Sequence, residues 1–281
     1  MNIAVTGATG FIGRHVVAEL RRRSIVPTLM LRPETALPDC LNGNRVVRID
    51  LAAPPQDAFE VLGRPQVLLH LAWNGLPNYR SLRHFEQELP SQYAFLRLMV
   101  GGGLQRLTVT GTCFEYGMQS GPLGEDLEPL PTNPYGFAKD ALRRQLEFLA
   151  SQHAFELNWA RLFYLYGEGQ AASSIYSQLR QAAARGDSTF DMSGGEQLRD
   201  YLPVADVAKH LVSIALASRR AGVVNICSGK PVSMRTLVQR WIEENGWSIR
   251  MNLGCYSYPD YEPLAFWGDA SNLQKSMEAA Q

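Results

Sequence analysis

The 281-residue sequence has no net charge, few cysteines and no long apolar run. Its 27 basic and 27 acidic residues balance, so no global field would attract nucleic acid or an anionic membrane surface. The four cysteines stand far apart, which excludes a zinc knuckle or a disulfide framework and favours reduced thiols. No apolar stretch reaches the roughly 18 residues of a membrane span, and no basic leader precedes the first apolar run. We therefore expect a cytoplasmic protein without nucleic-acid, membrane or metal partners.

What the sequence does have is a regular alternation of short apolar runs and helical patterns. The apolar runs occupy residues 2–6, 27–31, 45–49, 66–71, 106–110 and 156–162. Continuous apolar strands are typical of parallel sheets buried on both faces, and helical patterns between them are typical of βαβ units. The alternation therefore predicts an α/β fold, a doubly wound parallel sheet with helices on both faces.

A glycine-rich loop, TGATGFIG, follows the first apolar run and begins the first helical pattern. Glycines permit a tight turn between strand and helix, and they let backbone N–H groups approach a pyrophosphate at the helix N-terminus. Because strand, loop and helix come in the required order, the pattern predicts a dinucleotide-binding site at Gly7, Gly10 and Gly13.

The end of the second apolar run bears on which dinucleotide binds. An acidic residue there would accept a hydrogen bond from the adenosine ribose of NAD, whereas this chain has Arg32. An arginine suits the 2′-phosphate of NADP, so the sequence favours NADP(H). Glu34, two residues further on, keeps NAD(H) possible.

Five stretches together carry a family resemblance. They are GATGFIG (7–13), HLAW (70–73), TGTCFEYG (110–117), NPYGFAK (133–139) and RDYLPVADVA (199–208). With these in order, the chain resembles the extended branch of the short-chain dehydrogenase/reductase superfamily, which contains NAD(P)-dependent nucleotide-sugar epimerases, dehydratases and reductases. The resemblance implies a Rossmann-type dinucleotide-binding domain of residues 1–163, to which 203–227 return. It also implies a smaller, discontinuous substrate-binding lobe of residues 164–202 and 228–281.

The catalytic group implied by the resemblance is Thr112, Tyr135 and Lys139. Tyr135 and Lys139 are four residues apart, so they share one face of a helix. A phenol is a poor acid–base group at neutral pH, and a nearby ammonium, together with an oxidised nicotinamide, would favour the phenolate. Thr112 stands four positions before a Tyr-Gly pair, where the family has a hydroxyl residue that holds the substrate oxygen.

Binding residues carry over by position in the same way. For the cofactor they are Thr9, Phe11 and Ile12 beside the loop glycines, Asp50 and Leu51 for adenine, Leu71 and Ala72 near the phosphates, Phe163 on the nicotinamide, and Tyr135 and Lys139. For a nucleoside-diphosphate sugar they are Trp73 and Asn74 at the sugar end, Thr112, Tyr164 where many members have an asparagine, and Arg199 for the diphosphate.

Three residues in these stretches have a structural interpretation beside a functional one. Arg199 could instead form a structural ion pair with Asp200 or Asp206. Glu115 could touch the sugar or be an exposed loop carboxylate, and His70 is expected to be a buried structural histidine.

The residues after Thr112 narrow the reaction. Dehydratases have an Asp-Glu pair there, and bifunctional epimerase-reductases have a cysteine two positions on, whereas this chain has Cys113 and Phe114. Two reactions remain. One is NADPH-dependent reduction of the C4 ketone of a nucleotide-linked 4-keto-6-deoxyhexose, as in deoxysugar, lipopolysaccharide and other surface polysaccharide biosynthesis, and Arg32 favours it. The other is 4-epimerisation of a nucleotide sugar with bound NAD. A non-catalytic cofactor sensor is a further alternative, although such proteins usually lack the tyrosine or the lysine that this chain retains.

The family commonly pairs through two helices, here about residues 85–100 and 135–150, which make a four-helix bundle across a twofold axis. The resemblance therefore implies a homodimer. Its shared apolar faces are expected to include Phe95, Met99 and Leu146.

Overall fold

The computed structural model describes residues 1–218 and 220–278. The strands in these residues are β1 (Ile3–Thr6), β2 (Thr28–Leu31), β3 (Val46–Arg48), β4 (Val67–His70), β5 (Arg106–Thr112), β6 (Gly121–Leu123), β7 (Glu156–Leu162), β8 (Tyr164–Tyr166), β9 (Thr189–Asp191), β10 (Leu198–Arg199), β11 (Tyr201–Pro203), β12 (Val223–Ile226), β13 (Val232–Ser233), β14 (Arg250–Asn252) and β15 (Phe266–Gly268). The α-helices are α1 (Phe11–Arg22), α2 (Ala58–Val61), α3 (Leu89–Gly101), α4 (Pro134–Ala150), α5 (Ile175–Arg185), α6 (Val204–Leu216), α7 (Met234–Glu244) and α8 (Ser271–Glu278).

The central element is a seven-stranded sheet in which every neighbouring pair is parallel, with the order β12-β7-β5-β4-β1-β2-β3. Every residue of β1 and β4 is buried, as expected for strands covered by helices on both faces. The chain winds from β1 towards β3 on one side and then from β4 towards β12 on the other. The strand order therefore reverses between β1 and β4, and doubly wound folds bind ligands in the crevice at the carboxyl ends of such strands.

The two faces of the sheet carry separate hydrophobic cores. α1 and α6 cover one face, where Val16, Leu20 and Leu211 are completely buried. α3 and α4 cover the other face, where Leu96 and Leu142 are completely buried. Apolar residues at helical spacing form the inward stripe of each helix. The predicted α/β fold with helices on both faces is confirmed.

Several two-stranded pairs lie beside the main sheet: β8 with β11, β9 with β14, β10 with β13, and β15 with β6. All of their strands except β6 follow β7 in the chain. A further core lies among them, in which Leu237 and Trp241 of α7 share a cluster with Leu179 of α5. β12 is the edge strand of the main sheet, and α6 packs on α1.

One helix departs from the predicted lobe boundaries. Residues 228–281 were predicted to belong to the lobe, but α8 packs through the buried Leu273 into the core of α1 and α6. α8 comes directly after β15 in the chain, and it contacts α6 and β12. Residues 279–281 of that assignment lie outside the described residues.

The predicted dimer residues are also placed differently. Phe95, Met99 and Leu146 are completely buried within the single chain, so they cannot form a shared outer face. A helix that lies on a sheet has one inward face, and these apolar residues occupy it. The outward side of α4 instead has Phe137 and Phe148, which are 53% and 74% exposed.

No helix in the described part of the chain combines the length and the apolar character that crossing a membrane requires.

Candidate active site

Tyr135 and Lys139 lie in the first two turns of α4, next to the turn that follows β5. Asn133 caps this helix, because its side-chain oxygen accepts the N–H of Gly136 at 2.9 Å. Gly136 lets the helix approach closely, since a Cβ at that position would lie 2.5 Å from the carbonyl oxygen of Phe114. The local sequence thus sets both where the helix begins and how near it comes to the end of β5.

Thr112 is the last residue of β5 and the N-cap of a short 3₁₀ turn. Its hydroxyl accepts the N–H of Phe114 at 3.3 Å. The carboxylate of Glu115 in turn accepts the N–H of Thr112 at 2.9 Å, which completes a capping box. The Thr112 side chain also lies near enough to the phenol of Tyr135 to act on its pKa, which it lowers. The structure therefore brings the two predicted hydroxyl groups together.

The ammonium of Lys139 lies in an almost closed environment, with the residue 2% exposed. Its Nζ donates to the carbonyl oxygen of Thr110 at 2.8 Å and lies 4.0 Å from the centre of the Trp73 ring. Burial lowers the pKa of Lys139 to about 7, and the distant carboxylates of Glu115 and Glu88 oppose that shift. The lysine is therefore poised to exchange its proton near neutral pH.

The Tyr135 ring is enclosed by four aromatic side chains and is 7% exposed. The ring centres of Trp73, Tyr79, His84 and Phe114 lie 6.0, 5.6, 5.2 and 6.4 Å from its own. Burial raises the pKa of the Tyr135 phenol above its ordinary value. Burial thus opposes the effect expected of a neighbouring ammonium and an oxidised nicotinamide, which stays a prediction. The phenol, which can donate a proton, is the form present.

Glu115 takes neither of the two roles considered from the sequence. It is fully buried, and its Oε2 lies 2.6 Å from the Nε of Arg161 on β7. The indole of Trp159 also donates to this carboxylate at 3.0 Å. Burial raises the pKa of the Glu115 carboxyl, and the Arg161 guanidinium opposes that rise. Glu115 is therefore an interior ion-pair residue that holds the backbone of Thr112, with no access to a sugar.

A cavity of about 440 Å³ lies at the carboxyl ends of β1, β2 and β4, and we call it the glycine-loop cavity. Ten of the predicted binding residues line it: Gly7, Thr9, Gly10, Arg32, Asp50, Leu51, Leu71, Ala72, Trp73 and Asn74. Phe11, Ile12 and Gly13 follow in the first turn of α1. Gly7 has a φ of +70°, and a Cβ there would lie 2.8 Å from the Ala72 nitrogen. The backbone thus forms a cradle beside a helix N-terminus, which fits a dinucleotide pyrophosphate.

Arg32 stands at the exposed rim of this cavity, with its Nη1 3.4 Å from the Oδ1 of Asn74. In the described part of the chain, no carboxylate lies within ion-pair distance of its guanidinium. Asn74, which the sequence analysis placed at the sugar, instead accepts from Arg32 and donates to Glu88 at 3.3 Å. Asn74 is therefore located on the cofactor side.

His70 is buried at the end of β4, between the Thr6 hydroxyl at 3.0 Å and the Gln92 side-chain oxygen at 2.7 Å. Burial lowers its pKa to about 3. It is a neutral interior histidine, as expected. Phe163 is likewise interior, 3% exposed and packed between Tyr116 and Phe266, and it lies away from the glycine-loop cavity.

A second cavity, of about 620 Å³, has in its wall Tyr79 and Phe114, which both pack on the Tyr135 ring, and we call it the tyrosine cleft. Its walls include Asn78, Arg80, Phe114, Gln170, Glu262 and the tyrosines 79, 164, 176, 201 and 261. Tyr164 was predicted here, whereas the segment 77–80 and Tyr261 with Glu262 were not. No motif marked them, and they reach the cleft only because two loops without regular structure approach each other. Their contact is an ion pair of 2.7 Å between Arg80 and Asp260.

Arg199, predicted to bind a diphosphate, is engaged by the protein. Its guanidinium pairs with Glu262 at 2.8 Å, and neither Asp200 nor Asp206 is its partner. Asp200 instead accepts the N–H groups of Ser228 and Gly229. Arg199 thus forms a structural ion pair, but with a residue 63 positions away. In the described residues, no cluster of His, Cys, Asp and Glu is arranged to hold a metal ion.

Comparison with known proteins places the chain in a family. The model of the NAD dependent epimerase/dehydratase family matches residues 3–227, and the chain belongs to this family. It is therefore an NAD(P)-dependent enzyme of the oxidoreductase type within the extended short-chain dehydrogenase/reductase superfamily.

Individual relatives are consistent with that assignment. The chain is 31% identical over 270 residues to a dTDP-6-deoxy-L-talose 4-dehydrogenase (NAD(+)) of Aggregatibacter actinomycetemcomitans, covering 95% of this chain and 99% of the relative. It is 23% identical to a dTDP-4-dehydro-6-deoxyglucose reductase of Escherichia coli, covering 84% of this chain and 79% of the relative. Among solved structures, MoeE5 in complex with UDP-glucuronic acid and NAD is 30% identical with a TM-score of 0.84, covering 99% of this chain and 93% of the other.

Proposed function

We propose that this protein reduces the C4 ketone of a nucleotide-linked 4-keto-6-deoxyhexose with a nicotinamide cofactor. One observation carries the proposal: the Tyr135 ring, whose phenol lies near the Thr112 side chain, packs against wall residues of both the glycine-loop cavity and the tyrosine cleft. Trp73, which lines the first cavity, and Tyr79 and Phe114, which line the second, all contact the Tyr135 ring. A cofactor and a sugar held in the two spaces would meet at this phenol. The relative that acts at C4 of a 6-deoxy-talose nucleotide supports the choice of carbon.

Each residue of the catalytic group has a separate task in this reaction. A bound nicotinamide supplies the hydride chemistry. Thr112 donates a hydrogen bond to the carbonyl oxygen, and Tyr135, held as a phenol by burial, gives its proton to the oxygen as negative charge develops on it. Lys139, with a pKa of about 7 and its Nζ 6.0 Å from the Tyr135 ring centre, can restore that proton. The aromatic wall around Tyr135 excludes water from the reacting oxygen.

The cofactor we propose is NADP(H), because of Arg32. Its guanidinium stands at the cavity rim without a carboxylate partner among the described residues, as a 2′-phosphate site requires. NAD(H) remains the alternative, since the C4-acting relative is named for NAD(+) and MoeE5 was solved with NAD.

A 4-epimerase is the second candidate function. The observation that favours it is the closed environment of Tyr135 and Lys139, which suits a cofactor that stays bound through oxidation and re-reduction. Several relatives are epimerases, among them a UDP-glucose 4-epimerase of Azospirillum brasilense at 24% identity. A non-catalytic sensor is disfavoured, because the complete catalytic group is assembled in the interior.

The deciding experiment measures oxidation of NADPH and NADH with a panel of dTDP-, UDP- and GDP-linked 4-keto-6-deoxy sugars. We expect turnover of at least one member, with a C4 alcohol as the product. Interconversion of C4 epimers without net cofactor consumption would establish the epimerase instead. Absence of both activities, with the cofactor still bound, would support the sensor.

We also propose a homodimer and a role in making deoxysugars for surface polysaccharides. The support for the dimer is the outward apolar surface of α4, where Phe137 and Phe148 are more than half exposed. Their spacing of eleven residues places them on one side of the helix.

A further inference from the structure

The guanidinium of Arg199 is almost completely used by the protein itself. Its Nε and Nη2 donate to Oε2 of Glu262 at 3.2 and 2.8 Å. Its Nη1 donates to the carbonyl oxygens of Leu198 and Leu264 at 2.9 and 3.0 Å. The Arg199 side chain is 3% exposed and the Glu262 side chain 10%. A phosphate that paired with this guanidinium from the tyrosine cleft would have to replace Glu262, which lines the cleft where Arg199 does not.

Glu262 stands at a boundary between two spaces. It lines the tyrosine cleft and also an adjoining cavity of about 320 Å³, which we call the rear cavity. Both spaces share the walls Tyr164, Ser173, Ile175, Tyr201, Tyr261 and Glu262. Arg199 lines the rear cavity. Glu262 thus lies across a passage from the tyrosine cleft to Arg199. Among the described residues that line the two spaces, Arg199 is the one buried cation.

The charges around this passage leave no net attraction for an anion. The charged side chains lining the two spaces are Arg80, Asp191, Arg199 and Glu262, which sum to zero. Arg80 is in addition paired with Asp260. A diphosphate entering with Glu262 in place would meet a carboxylate at short range, which is unfavourable.

The same walls contain polar atoms that lack protein partners. The hydroxyl of Tyr164 and the Oε1 of Gln170 are buried, and no group of the described residues is within hydrogen-bond distance of either. Buried polar atoms without partners are unfavourable unless a ligand or solvent satisfies them. Tyr164 lines both spaces and Gln170 lines the tyrosine cleft. The passage therefore offers hydrogen-bonding groups that a bound ligand could satisfy.

We infer that Glu262 occupies the place of the substrate's diphosphate on Arg199, and that a nucleoside diphosphate displaces this carboxylate when it binds. The inference rests on the proposed function for its ligand class. Glu262 belongs to the segment 253–265 between β14 and β15, which has no regular structure, so its side chain can move without disturbing a helix or a strand. The internal carboxylate keeps the buried guanidinium paired before substrate arrives and weakens binding of any anion too small to replace it.

The test is calorimetric titration of UDP and of dTDP into the wild-type protein and into Glu262→Gln. The glutamine keeps the shape of the side chain but removes the competing charge. We expect the variant to bind the better of the two nucleotides about tenfold more tightly or more. Glu147→Gln is the matched control, because it removes a carboxylate from the ion pair with Arg143 on α4, and neither residue lines either space. We expect the control to bind as the wild type does.

Equal or weaker binding by Glu262→Gln would overturn the inference, and so would tighter binding by both variants. If wild type and Glu262→Gln both fail to bind either nucleotide, the inference is also overturned. These outcomes can be told apart from a failure of the proposed function. Turnover of the sugar panel measures that function, and turnover can be absent while nucleotide binding still responds to Glu262.

A structure of the wild-type protein with UDP or dTDP gives a second, mutation-free measurement. We expect a phosphate oxygen in hydrogen-bond contact with the Arg199 guanidinium and the Glu262 carboxylate moved out of contact. A bound nucleotide with the Arg199–Glu262 ion pair intact would overturn the inference, even if Glu262→Gln proved too unstable to titrate.

Discussion

Lys139 and Arg199 are two buried cations, and their surroundings differ in one respect. Arg199 has a carboxylate partner at 2.8 Å. The ammonium of Lys139 instead contacts the carbonyl oxygen of Thr110 and the ring of Trp73, and no described carboxylate lies within ion-pair distance of it. Burial brings the pKa of the lysine to about 7. The paired cation suits binding and the unpaired one suits proton transfer.

The largest expected effect concerns Tyr135, on the side of the unpaired lysine. Tyr135→Phe keeps the ring among its four aromatic neighbours and removes the proton donor. We expect kcat to fall by about 10²–10⁴-fold, the usual contribution of general acid catalysis, with cofactor affinity unchanged. Steady-state kinetics with an accepted 4-keto sugar, together with cofactor titration, check this. Unchanged kcat would remove Tyr135 from the catalytic group.

The next effect concerns a third buried cation, Arg161, which is paired like Arg199. Glu115→Ala leaves the Arg161 guanidinium without its carboxylate and frees the N–H of Thr112. We expect the free energy of unfolding to fall by about 3–5 kcal/mol, because an interior charge is left uncompensated. Urea unfolding measures it. Glu147→Ala, which breaks the half-exposed pair with Arg143, should cost less than about 1 kcal/mol. Similar losses of unfolding free energy for Glu115→Ala and Glu147→Ala would contradict the distinction between a buried and a more exposed ion pair.

We expect the cofactor preference to depend on Arg32. This cation is exposed, whereas Lys139, Arg161 and Arg199 are buried. We expect NADPH to bind more tightly than NADH, and Arg32→Ala to remove most of the difference, about 1.5–3 kcal/mol for one charge-assisted phosphate contact. Fluorescence titration of both cofactors measures this. Glu34→Ala is the control, since it removes the neighbouring acidic side chain. Equal affinity in the wild type would favour NAD(H) and the epimerase.

The smallest effect tests the unpaired lysine through stability. In the folded protein Lys139 loses its proton near pH 7, whereas in the unfolded chain it keeps it to about pH 10. The unfolded state therefore binds more protons between these values, and this group makes stability rise with pH across that window. We expect Lys139→Met to stabilise the cofactor-free protein by about 1–3 kcal/mol at pH 7 and by less at pH 9. Urea unfolding at both pH values checks this, and parallel pH dependences would contradict it.

Much of the candidate site could be predicted because it is local in sequence. The glycine loop, the Tyr135–Lys139 spacing and Thr112 each depend on a few neighbouring residues and on where strands end in a parallel sheet. The roles of Asn74 and Glu115 could not be predicted in this way. Asn74 is placed by Arg32 and Glu88, and Glu115 by a guanidinium 46 residues away.

The sequence by itself therefore determined the α/β fold, the glycine loop between β1 and α1, and the placement of Tyr135 and Lys139 on one helix, since periodicity and short motifs act through nearest neighbours. Tertiary structure alone decided which charges are paired and which face a cavity. Glu262 reaches Arg199 from 63 residues away, and Tyr79 covers Tyr135 from a loop before α3. Electrostatic and packing interactions act through space, and no spacing in the sequence encodes the distance between two loops that meet only after the chain has folded.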